Sequence, residues 1–113
     1  MAGSRGRTRR CVRWTRVIET GEVHLADVNE ERRRLVLVVS TSSFHQRSNR
    51  VLVAPQIMGA PEDVALPWRV QVDTTVFAID RMRTVPIERL LERVDRAPST
   101  TCAAIRRAVR FIA

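Results

Sequence analysis

The residues able to do chemistry in this chain are chiefly arginines. All 20 basic residues are arginine, and lysine and tyrosine are absent. Two short stretches concentrate them with other polar groups: Arg32-Arg33-Arg34, and Asp80-Arg81-Met82-Arg83-Thr84. A guanidinium is planar and always charged, so it can fork onto two oxygens of one phosphate or carboxylate. Taken alone, Arg32–Arg34 reads as a solvated turn, and Arg83 as a partner for Asp73 or Asp80. A GC-rich coding sequence would also use arginine wherever others use lysine. Two imidazoles, His24 and His45, are of the residue type whose unperturbed pKa suits proton transfer near neutrality, although a lone histidine is more often structural. Cys11 and Cys102 lie 91 residues apart with no CxxC or HxxxH nearby, so no zinc site is expected. The same count argues against a disulfide framework and for a reducing compartment.

Charge is unevenly placed. The formal net charge is +8, but residues 1–16 hold six arginines and no acid, leaving 14 arginines and 12 acids in the other 97 residues. The chain therefore divides into a basic, mobile extension over 1–17 and one small domain over 18–113. No apolar run reaches the roughly 20 residues of a membrane helix, and 44% hydrophobic residues is too many for a disordered chain.

The elements that must position these groups are mostly short strands. Residues 21–28 alternate in part. Leu35–Ser40 is apolar and β-branched, as in a strand buried on both faces. Thr41–Asn49 reads as a polar loop anchored by Phe44. Arg50–Ala54 is a strand stopped by Pro55. Trp68–Asp73 alternates cleanly, with Trp68, Val70 and Val72 facing a core, although a tryptophan there could also stack a base, and Thr75–Ile79 follows as another strand. Pro86 with Ile87, Leu90, Leu91 and Val94 fits the start and stripe of a helix. Ser99 is placed to cap a last helix whose apolar stripe is Cys102, Ile105, Val109 and Ile112. Arg106, Arg107 and Arg110 lie off that stripe. The expected class is mainly β (α+β): a small sheet curled into a barrel with a closing helix.

Three segments in order carry a family resemblance: GEVHLADV at 21–28; RLVLVVS at 34–40 with VLVAP at 51–55; and DRMRTV at 80–85 followed by Arg89 and Leu90. Together they resemble the MazF/PemK toxins of bacterial type II toxin–antitoxin pairs, over about residues 18–113. The resemblance implies an SH3-like β-barrel, a homodimer, a cytoplasmic location and metal-independent, sequence-specific cleavage of single-stranded RNA with no cofactor. It also implies a cognate MazE-like antitoxin whose acidic tail fills the active groove.

Residue roles carry over position by position. The family's catalytic arginine matches Arg34, as phosphate clamp and general acid/base, here followed by Leu35 in place of proline. The family's catalytic threonine matches Ile57, which has no hydroxyl; Gln56, Ser40 and His45 are the candidate substitutes, with Thr41 a further hydroxyl nearby. Arg33, Asp80, Arg81, Arg83 and Thr84 are the expected RNA-binding residues. Both Asp27–Arg34 and Asp73–Asp80 span seven positions, shorter than the family's usual loops. Two other readings compete. A catalytically impaired homologue would bind antitoxin or RNA without cutting. A gyrase poison of the CcdB type would use a C-terminal tryptophan, and this chain ends Val-Arg-Phe-Ile-Ala.

Overall fold

The structure, a computed structural model, describes residues 17–29, 32–58 and 66–113. Of the expected basic extension over 1–17, all but Val17 lies outside them. The strands are β1 (Glu22–Ala26), β2 (Arg34–Val38), β3 (Arg50–Ile57), β4 (Arg69–Val72), β5 (Thr75–Ala78), β6 (Arg83–Pro86) and β7 (Leu90–Arg96). The helices are α1 (Ser42–Ser48) and α2 (Ser99–Ile112), and 3-10 turns occupy Ile79–Arg81 and Ile87–Arg89.

The strands form one antiparallel sheet in the order β4-β5-β3-β2-β1-β7, and β6 pairs with the first half of β3. Curling brings β6 and β7 round to the two ends of the turn at Ile87–Arg89. The result is the small barrel-like, mainly β fold that the resemblance implies. β2 shows why the residues after Arg34 are all apolar. Val36 and Val38 point into the barrel with Ala26, Val51, Val53 and Val85, while Leu37 faces a second core with Phe77, Ile79 and Ile105 of α2. Both faces are buried, so neither set of alternate residues is polar.

Four local expectations are corrected. Residues 41–49 are not a loop: α1 forms there, with the Thr41 hydroxyl accepting from the Phe44 N–H at 3.4 Å. Asn49 closes it at φ 60°, in the left-handed region that asparagine tolerates. Pro55 does not stop β3. It sits between the last pair with β6, Val53–Arg83, and the first pair with β5, Gln56–Phe77, so its missing N–H falls where one edge partner gives way to the next. Residues 86–94 are not a helix. Ile87 and Leu90 pack on the barrel core, and Leu90–Arg96 instead supplies the hydrogen bonds that β1 lacks on its outer edge. Finally, Pro98 holds the cap position of α2, Ser99 is its first helical residue, and Ile112 at its end is exposed.

Candidate functional site

Arg34 opens β2 and is half-buried. It pairs across the sheet with Ala26, a barrel-facing residue. Extending the β2–β3 register two places beyond Val36–Pro55 brings Ile57 opposite Arg34. Period-2 alternation then puts Arg34 and Ile57 on the same face of the curled sheet. Arg83, paired with barrel-facing Val53, shares that face.

The chain leaving β1 on its way to β2 is held by two distant arginines. Arg83 Nη2 donates to the Val28 carbonyl at 2.7 Å. The Asp27 N–H donates to the Arg89 carbonyl at 2.9 Å, and the Asp27 carboxylate lies 3.6 Å from Arg89 Nη1. Asp27 also accepts from the Asn29 N–H at 3.2 Å, and Asn29 turns the chain at φ 65°. Two points of attachment suit a connection of seven positions. Arg83 therefore meets a backbone carbonyl, while Asp80 pairs with Arg69 Nε at 3.3 Å.

The other residues expected on RNA are spread around this corner. Arg33 is exposed ahead of β2, and Asp80 and Arg81 are exposed in the turn before β6. Thr84 alternates to the opposite face from Arg83, where its carbonyl and hydroxyl accept from Arg50 Nη2 at 3.0 and 3.3 Å.

The candidate substitutes for a hydroxyl at Ile57 gather elsewhere. Gln56 pairs with Phe77 and so falls on the face covered by α2. Ser40 and His45 meet each other, but Ser40 is six residues beyond Arg34, about 20 Å along an extended chain. His45 Nδ1 lies 2.7 Å from the Ile18 carbonyl, which can only accept, so Nδ1 carries the proton. His45 Nε2 then accepts the Ser40 hydroxyl at 2.6 Å, and Ser40 Oγ accepts the Leu52 N–H at 2.9 Å. His45 is 3% exposed and Ser40 9%, so this pair is a latch between α1, β3 and the chain before β1, out of reach of a polymer substrate.

Burial holds the His45 pKa below its ordinary value of 6.5, with the Ile18 carbonyl and the Glu22 charge opposing in part. The latch therefore stabilises the fold fully above pH 6.5, and that contribution is lost as pH falls through the depressed native value. Urea unfolding of the parent and of His45→Gln checks this. The parent's advantage should shrink between about pH 7.5 and about pH 5.5, and an advantage independent of pH would refute it.

His24 looks like an isolated imidazole in the sequence, but in the fold it has a buried partner. Its Nε2 lies 2.8 Å from Glu22 Oε1, with His24 0% and Glu22 2% exposed. Glu22 Oε2 accepts the Glu19 N–H at 3.2 Å and lies 3.7 Å from Arg93 Nη1. The available signal was the i, i+2 spacing, which places both side chains on one face of a strand.

Among the described residues no helix is long and apolar enough to cross a membrane. No curated protein matches the chain in sequence. Among solved structures, an endoribonuclease from a Mycobacterial species has TM-score 0.71 and 16% identity, covering 85% of this chain and 90% of its own. A MazE–MazF complex from Deinococcus radiodurans has TM-score 0.70 and 19% identity, covering 86% and 97%. The Mycobacterium tuberculosis toxin MazF-mt6 has TM-score 0.61 and 18% identity, covering 78% and 91%. These likenesses establish a shared fold. The match that reaches sequence is to the family model of PemK-like, MazF-like toxins of type II toxin–antitoxin systems, over residues 19–113, and the chain belongs to that family.

Proposed function

We propose that the protein is the toxin of a type II pair and cleaves single-stranded RNA at short sequences, without a metal ion. The observation that carries the reading is the seat of Arg34: half-buried at the head of β2, on the face it shares with Arg83, beyond a connection pinned at Asp27 and Val28. In-line attack by a ribose 2′-OH on the neighbouring phosphorus builds negative charge on the phosphoryl oxygens. Arg34 forks onto those oxygens and stabilises that charge. A guanidinium offers five N–H donors and no acceptor, so Arg34 serves as a clamp and hydrogen-bond donor rather than as the base. Arg33, Arg81 and Arg83 contribute positive charge along the strand's path and Asp80 a hydrogen-bonding group, while Thr84, on the face opposite Arg83 and held by Arg50, lies off that path. The 2′-OH proton passes to water as the P–O2′ bond forms, the P–O5′ bond breaks with the 5′-oxygen taking a proton from water, and a 2′,3′-cyclic phosphate and a 5′-hydroxyl remain.

The protein works as a homodimer in the cytoplasm, and a MazE-like antitoxin with an acidic tail covers the groove. Complexes of MazE with MazF are known for the Deinococcus radiodurans relative.

Ile57 favours a second reading, in which the protein binds RNA or antitoxin and cuts slowly or not at all. On the extended β2–β3 register it falls on the Arg34 face with no hydroxyl, and Gln56, Ser40 and His45 are all directed elsewhere. Incubating the protein with a long unstructured RNA in EDTA, beside Arg34→Ala, separates the two. Cutting by the parent alone supports the nuclease. Binding without cutting leaves the second reading.

A further inference from the structure

The outer face of α2 carries charge that the site above does not use. Arg106, Arg107 and Arg110 are exposed on it, and the segment from Ser99 to the C-terminus contains no acid. Spacings of three and four residues put these guanidiniums side by side. None has an ion-pair partner among the described residues, whereas Arg69, Arg89, Arg93 and Arg96 each have one.

Beside them stands an aromatic pair that the core does not absorb. The alternation of Trp68 with Val70 and Val72 predicts a core ring. Instead Trp68 packs on Phe111, with ring centroids 5.7 Å apart and planes tilted by 36°. Phe111 is 63% exposed, so much of that platform faces solvent. The buried side of α2 packs against the turn at Ile79–Arg81 through the core that holds Ile79, Ile105 and Ala108, which leaves the arginine-bearing side turned to solvent.

Three unneutralised guanidiniums beside an open aromatic face are the two halves of a single-stranded nucleic-acid site: cations for the backbone and a ring for a base. An acidic peptide would match the charge and leave the rings unexplained. A second copy of the chain would cover the rings and bring three more arginines against these. We propose that the outer face of α2 is a second contact for single-stranded nucleic acid. Arg106, Arg107 and Arg110 take phosphates, and the Trp68–Phe111 pair takes a base. The proposal rests on the RNA-directed reading for its ligand, but not on cleavage.

The test uses the full chain and a fluorescent oligodeoxythymidylate, which lacks the 2′-OH and cannot be cut by this chemistry. Affinity is measured across a salt series for the parent, for the triple variant Arg106→Gln, Arg107→Gln, Arg110→Gln, and for Phe111→Ala. The triple variant should lower the log–log salt slope by about 2, at roughly 0.7 for each phosphate no longer neutralised. Phe111→Ala should weaken binding about tenfold with the slope unchanged. All these side chains are exposed, and glutamine keeps helix propensity, so the variants should melt like the parent. Any cleavage at saturating RNA should be unaffected.

An unchanged slope in the triple variant overturns the proposal, whether or not the parent cuts RNA. So does a parent that binds no single strand at all. So does a Phe111→Ala variant that passes from dimer to monomer with its affinity intact, which would assign the patch to self-association. Loss of binding with a parent that never cuts RNA would uphold this contact and defeat the nuclease reading.

Discussion

Arg34→Ala lowers the rate of RNA cleavage by about 100- to 1000-fold at saturating substrate, the usual effect of removing one donor aimed at developing transition-state charge. The loss falls mainly on kcat, because the charge that Arg34 meets is greatest in the transition state. Arg34→Lys recovers only part of it: lysine keeps the charge and loses the fork. Neither change should unfold the protein, since Arg34 is half-buried at a strand end and outside both apolar cores. Single-turnover rates with a short fluorogenic RNA, read beside thermal melts, measure this directly. A variant that cuts as fast as the parent would remove Arg34 from the mechanism.

Ile57→Thr acts in the opposite direction and accelerates cleavage at least about tenfold. A positioned proton-transferring or hydrogen-bonding group is worth roughly 100-fold or more, and none of Gln56, Ser40 and His45 offers one on the Arg34 face. The substitution is mild for the fold. Both residues are β-branched, both suit a strand, and Ile57 is only half-buried at the end of β3. The gain should vanish in the Arg34→Ala background, because the two side chains would act on one phosphate and neighbouring sites couple. A gain that persists without Arg34 would place the hydroxyl's action elsewhere. No gain at all would mean that the missing hydroxyl is not what limits the parent.

What is legible in the sequence divides along a physical line. β2 can be read because a strand buried on both faces needs apolar residues throughout, and Leu35–Val39 has them. β4 can be read from its alternation. The segment at 87–94 misleads because Ile87, Leu90, Leu91 and Val94 fit a helical spacing, while the free edge of β1 decides for a strand. α1 is invisible because its only buried residue is His45, too little apolar pattern to register as a helix. At the site, Arg34 can be placed by the order of motifs along the chain. The long-range contacts around it cannot: Arg83 reaches Val28 across 55 residues of sequence, and, away from the site, His45 reaches Ile18 across 27. Contacts of that kind leave no local periodicity. The same holds for Trp68, whose alternation points to the core while tertiary packing sets it against Phe111.

The central claim is that this fold, with Arg34 at the head of β2, cuts RNA by 2′-OH attack. The most direct measurement is the chemistry of the ends made by the purified parent on a long unstructured RNA in EDTA. Cuts should fall at a recurring short sequence, each leaving a 2′,3′-cyclic phosphate and a 5′-hydroxyl. RNA that stays intact, or fragments ending in 3′-hydroxyl and 5′-phosphate, would contradict the claim.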